Sequence, residues 1–152
     1  MSVDRLSRLT ALNADYARCI DDDRLEEWPG FFLERCLYKI TTADNLARGY
    51  EAGLVYADSR AMLQDRVSAL RQANIYERQR YRHIVGLPSA REGGAVETPF
   101  LVARIMRDGR TDLFATGRYL DKVVEEGKVL RFEERVVVCD SSRFDTLLAI
   151  PL

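Results

Sequence analysis

Apolar residues recur at three- and four-residue steps near the start of the chain. Leu6, Leu9, Leu12, Tyr16 and Ile20 form one continuous stripe, which predicts a helix from about Asp4 to Ile20. The acidic triplet Asp21, Asp22, Asp23 ends that stripe. Asp23, with Glu26 three positions on, has the form of a capping box for a second, short helix. Leu25, Trp28 and Phe32 continue the apolar face, with Pro29 suited to a first helical turn. The runs CLYKITT and GLVYAD read as two short strands separated by the polar stretch Ala43 to Gly49. A further helix from Ser59 to about Ala73 places Met62, Leu63, Val67 and Leu70 around a charged face, with Asp58 or Ser59 available as cap.

The period then changes. From Glu77 the residues separate by alternation: Arg78, Arg80, Arg82 and Ile84 fall on one face of a strand from Tyr76 to Gly86, and Glu77, Gln79, Tyr81, His83 and Val85 on the other. The loop Leu87 to Glu97 follows, then a strand from Thr98 to Arg107, a tight turn at Asp108-Gly109 and a long strand from Arg110 to Val124. Glu125 to Gly127 turns the chain back into Val129 to Cys139, and a last strand spans about Thr146 to Leu152. Helices followed by a meander of long strands predict a single α+β domain over residues 1–152, in which a curved antiparallel sheet wraps around the N-terminal helices as a cone. Such a cone has room for a small-molecule pocket, so fold alone permits an enzyme.

Composition narrows the options. With 152 residues, 47% hydrophobic and 31% charged, the chain suffices for one core. The 23 basic residues nearly cancel the 24 acidic ones, so no global field draws in nucleic acid and the arginines matter locally. No apolar run approaches the roughly 18 residues of a membrane helix, and MSVDRLSRL lacks the apolar core of a signal peptide, so a cytoplasmic location is the expectation. Cys19, Cys36 and Cys139 are odd in number and free of any CxxC spacing, which favours reduced core residues over a disulfide framework or a structural zinc site.

His83 is the single histidine, and that limits the chemistry most. A facial triad for non-heme iron needs two histidines and a carboxylate, and a Rieske cluster needs two histidines with two cysteines. One copy of this chain supplies neither. No GxGxxG, phosphate loop or GxSxG elbow is present. What remains is acid–base work by His83, a buried aspartate or a tyrosine inside the cone. The bland alternative is a hydrogen-bonded structural histidine. The arginine face admits three readings: a solvated or internally paired surface, a nucleic-acid contact, which the neutral charge disfavours, and a subunit interface suited to the planar guanidinium fork.

In order and spacing the sequence resembles the small, or beta, subunits of Rieske non-heme iron aromatic-ring-hydroxylating dioxygenases. The resemblance rests on Tyr16 with IDDDRLEEWPGFF, on MLQDR at 62–66, RYRH at 80–83 and GRYLD at 117–121, on Leu130-Arg131-Phe132 with Glu134-Arg135, and on Asp140 and the terminal Ile150-Pro151-Leu152. Within the family, GLVYADSRAMLQDRVSALR and ANIYERQRYRHIVGLPS are most similar to members serving aromatic carboxylates, the terephthalate type first and the salicylate type second. The resemblance implies a cone of the nuclear transport factor two type and a non-catalytic, structural role in a hetero-hexamer of three alpha and three beta subunits. The alpha subunit would carry the Rieske [2Fe-2S] cluster and the mononuclear Fe(II), and a separate reductase would deliver electrons from NADH. This chain would hold no cofactor of its own. Arg78, Arg80, Arg82 and Tyr119 are then the candidate interface residues. The competing expectations are a free-standing isomerase, dehydratase or cyclase with His83 or a buried aspartate as base, and a ligand-binding cone without turnover.

Overall fold

The computed structural model describes residues 1–51, 53–73, 79–143 and 150–152. Helix α1 spans Val3–Asp21, capped by Ser2, whose Oγ accepts from the Arg5 amide at 3.0 Å. Its stripe buries Leu9, Tyr16, Cys19 and Ile20, and Asn13 lies on the same side. After a turn, a 3-10 segment Trp28–Phe31 with Pro29 in its first turn leads into β1, Phe32–Thr42. The polar stretch after β1 forms a short helix, α2, Ala43–Ala47, capped by Thr42. Strand β2 (Val55–Ser59) runs directly into α3 (Arg60–Gln72), where Ser59 Oγ accepts from the Met62 amide and Leu63, Val67 and Leu70 face inward.

Strand β3 covers Gln79–Val85. The expected loop contains a two-residue strand, β4 (Ser89–Ala90), and a 3-10 turn at Glu92–Gly94. Then come β5 (Val96–Met106), β6 (Thr111–Glu126) and β7 (Val129–Cys139). Gly109 and Gly127 turn the two hairpins with φ of 89° and 67°, a region that disfavours residues with a Cβ.

The strands order as β2-β1-β7-β6-β5-β3, with β4 on β5. β1 runs parallel to β7, so the sheet is mixed and the expected all-antiparallel sheet is corrected there. Side-chain alternation reports which face a residue occupies, not the direction of its neighbour. The parallel partners are joined by a long crossover carrying β2, α3 and the meander. Bulges between Val102 and Ala103 and between Lys122 and Val123 bend the long strands. At Gly117, where β6 passes β7, a Cβ would collide with the Val138 carbonyl oxygen, so only glycine permits that approach.

Two further expectations change. Asp23 does not open a capping box: its backbone is left-handed (φ 59°), and Asp23 and Glu26 instead grip the Arg71 guanidinium at 2.9 and 2.7 Å. Most of the expected last strand, residues 146–149, lies outside the described residues, and Ile150 to Leu152 are not in a strand. Leu152 is fully buried, its backbone oxygen accepting from Tyr16 Oη at 2.8 Å and Tyr38 Oη at 3.0 Å. The core between helices and sheet is aromatic: Tyr16 meets Phe31, Phe32, Tyr119 and Phe132 edge-on, and Trp28 meets Phe32 and Tyr38 likewise.

Candidate functional site

Two guanidinium groups are buried on the inner face of the sheet, Arg104 on β5 and Arg135 on β7, and the second lies against helix α1. Arg135 on β7 points inward and is fully buried. Its Nε and Nη2 donate to Asp121 Oδ1 and Oδ2 at 2.9 and 2.7 Å, and Nη2 also donates to Asn13 Oδ1 at 2.6 Å. The guanidinium lies over three rings, with Cζ 4.4 Å from the Tyr16 centroid, 3.8 Å from Tyr119 and 3.9 Å from Phe132. Burial works against the guanidinium charge, and the Asp121 carboxylate more than offsets it, so the Arg135 pKa is raised. Helix α1 and the β6–β7 hairpin thus meet on a buried ion pair, in which Arg135 Nη1 alone of the guanidinium nitrogens has no hydrogen-bond partner among the described residues.

Tyr119, expected at an interface, belongs to this cluster. It is fully buried and stacked on Phe100 at 4.4 Å. Burial drives its phenol well above the ordinary range, with Arg135 only partly opposing. It therefore stays protonated and contributes no surface.

His83 also faces inward. Asp21, the last residue of α1, places Oδ1 2.6 Å from His83 Nδ1 and accepts the His83 backbone N–H on Oδ2 at 2.9 Å. The carboxylate holds the proton on Nδ1, which leaves Nε2 as the other ring nitrogen. Nε2 is buried without a hydrogen-bond partner among the described residues. A groove of about 340 Å³ runs between α1 and β3 past Asn13, Ala17, Arg18, Asp21, His83 and Val85, but the imidazole itself has no exposed surface. A general base must reach a substrate proton. This ring does not, and the buried aspartate, Asp121, is committed to Arg135. The sequence offered no sign that Asp21 is the partner of His83, since the triplet read as punctuation.

Arg80 and Arg82 lie on the opposite, outer face of β3, both exposed. Arg78 lies outside the described residues. Register places Arg80 opposite Ile105, Arg82 opposite Ala103 and Ile84 opposite Leu101, and carries Ala103 on to Leu113. Ile84 and Leu113 are 59% and 63% exposed, so an apolar stripe crosses three strands beside the arginines. Among the described residues neither Arg80 nor Arg82 makes a salt bridge.

The donor set does not fit the metal centres that the resemblance implies for the assembly. Either centre needs two imidazoles, and this chain has one, whose Nδ1 is held by Asp21. Among the described residues no group of three or more His, Cys, Asp or Glu side chains comes together as a metal site. No helix among them is long and apolar enough to cross a membrane.

Helices packed on a strongly bent mixed sheet define a cone of the nuclear transport factor two type. The ring hydroxylating beta subunit model matches residues 15–146. The terephthalate 1,2-dioxygenase terminal oxygenase component subunit beta 1 of Comamonas sp is 54% identical, over 95% of this chain and 97% of its own. The anthranilate 1,2-dioxygenase small subunit of Burkholderia cepacia is 38% identical, over 90% of this chain and 88% of its own. Among solved structures, the beta subunit of a putative aromatic-ring-hydroxylating dioxygenase from Novosphingobium aromaticivorans superposes with a TM-score of 0.86 at 37% identity, covering 97% of both chains. The chain belongs to the ring hydroxylating beta subunit family. It is a subunit of an oxidoreductase, the terminal oxygenase of a ring-hydroxylating dioxygenase, and the reading as a free-standing isomerase gives way to that one.

Proposed function

We propose that this chain is the structural beta subunit of a cytoplasmic dioxygenase that cis-dihydroxylates an aromatic carboxylate, terephthalate being the leading candidate. It works in a hexamer of three alpha and three beta subunits. The alpha subunit binds the substrate and carries the Rieske [2Fe-2S] cluster and the mononuclear Fe(II), and a reductase passes electrons from NADH to it. The observation that carries the structural role is the buried cluster: among the described residues Arg135, Asp121, Asn13 and three aromatic rings pack on one another inside the cone, and the His83 side chain is enclosed. A chain built this way contributes a rigid body of fixed outline rather than a reaction chamber. The 54% identity to a terephthalate dioxygenase beta subunit supports the substrate class.

Co-expression with a Rieske-type alpha subunit tests the reading. The purified complex is expected to be coloured, to contain iron, and to consume O2 and NADH with terephthalate once the reductase is added. A chain that never co-purifies with such a subunit, or a complex that turns over only unrelated substrates, overturns it. Turnover of an aromatic acid by the isolated chain would equally sink the structural role.

A further inference from the structure

We infer that the hollow between the start of β3 and the β5–β6 turn, lined by Gln79, Arg80, Ile105, Met106 and Arg107, binds an aromatic carboxylate, as a second and non-reacting site for the acid that the assembly dihydroxylates. The inference rests on the proposed function, which brings such an acid to the protein, and adds to it a ligand site within this chain.

Charge points to the anion. Arg80 and Arg107 line the same hollow, about 370 Å³ in volume, and neither side chain has a salt bridge or hydrogen bond among the described residues. The carboxylates of the adjoining hairpin are committed elsewhere: Asp108 Oδ1 accepts the Arg110 amide at 2.9 Å within the turn, and Asp112 is held by Arg104 at 2.7 Å. Two guanidinium groups sharing one concavity repel each other until an anion joins them, and their planar forks match the two oxygens of a carboxylate. On a chain whose formal net charge is -1, this corner is a local excess of positive charge.

The rest of the lining points to the ring. Ile105 stands opposite Arg80 across β3 and β5, and Met106, opposite Gln79, is buried, so an apolar wall lies beside the two cations. Gly109 closes the turn at a φ of 89° and leaves open space where a Cβ would stand. Gln79 Oε1 is buried without a hydrogen-bond partner among the described residues, and its carboxamide, turned over, offers N–H donors there in place of the oxygen. The volume falls in the range of small-molecule sites, where an apolar wall takes the body of a ligand and a few polar groups fix its orientation. A bare inorganic anion would leave the wall unused, and an uncharged ring would leave the arginines unmet.

The test uses the isolated full chain in titration calorimetry, with terephthalate as probe and terephthalamide and inorganic phosphate as controls. Expected is saturable binding of terephthalate, weakened about ten-fold or more in the R80Q/R107Q variant and about ten-fold or more weaker for either control ligand. Circular dichroism and the ligand-free melting temperature of the variant are expected to match wild type. The R82Q variant, altered on the same strand face but outside the hollow, is expected to bind as wild type does. No saturable binding by the wild-type chain overturns the inference, as does equal binding by R80Q/R107Q. An equal loss in R82Q overturns it too, since diffuse surface charge would then suffice, and phosphate bound as tightly as terephthalate overturns the aromatic class. If the isolated chain does not bind while the co-expressed complex turns over terephthalate, the inference falls and the proposed function stands; if the chain binds and the complex does not turn it over, the site stands and the proposed substrate falls.

Discussion

One carboxylate, Asp21, holds His83 twice, accepting from the ring at 2.6 Å and from the backbone amide at 2.9 Å. The pair joins the last turn of α1 to the terminal strand of the sheet across 62 residues of sequence. Removing the carboxylate leaves two buried donors without an acceptor. Asp21→Ala is expected to cost roughly 2–4 kcal/mol, read as a lowered urea midpoint of the isolated chain, and Asp21→Asn, which keeps one acceptor, is expected to cost less. Equal stability of wild type and Asp21→Ala would show that water replaces the carboxylate and that the clamp is unimportant.

Arg135 and Asp121 set up a sharper contrast. Arg135→Leu strands a buried carboxylate and is expected to lose about 3–5 kcal/mol. Replacing Arg135, Asp121 and Asn13 together by apolar residues of similar volume is expected to recover most of that loss. Equilibrium denaturation of the single and triple variants decides it: a triple variant no better than the single one would mean that the pair contributes by attraction beyond its own desolvation.

Gly117→Ala drives a Cβ into the Val138 carbonyl on the neighbouring strand. No flexible side chain can move aside there, so β6 and β7 must part, and the variant is expected to be insoluble or to melt at least about 10 °C lower. A melting curve matching wild type would contradict the close approach.

The three thiols give a chemical prediction. Cys19, Cys36 and Cys139 are buried and free, and burial pushes Cys139 up to about 12, with Asp140 adding to it, and Cys19 up to about 11. Because both shifts are upward, almost no thiolate exists at pH 8 in the folded chain, and reaction with a disulfide reagent is expected to be slow. All three are expected to react promptly in denaturant, where the pKa values return toward the ordinary range near 8.5. Fast native titration of one or more thiols would refute this.

The elements were legible wherever local chemistry decides them. Ser59 caps α3 as its position suggested, Asp108-Gly109 turns the β5–β6 hairpin, and β7 occupies the expected span, Val129–Cys139, with its run of three valines. The inward and outward faces of β3 were legible too, because alternation survives whatever the strand pairs with. Contacts set by register were not. Counting back from the turn after Glu126 pairs Asp121 with Glu134, but the bulge between Lys122 and Val123 shifts the register by one and brings Arg135 opposite instead. The buried ion pair at the heart of the cone thus depends on an irregularity that no residue pattern announces. The same holds for Asp21, an acidic residue among three, whose role is fixed only when α1 lies beside β3.

That bulge-dependent ion pair has a consequence for how such a chain can vary over time. A lineage that loses Arg135 alone keeps an interior anion, and one that loses Asp121 alone keeps an interior cation, so each single step passes through a poorly folding ancestor. The three positions on α1, β6 and β7 are expected to be inherited as a block, and a relative that had hollowed out its cone to admit a ligand would have had to give up all of them at once.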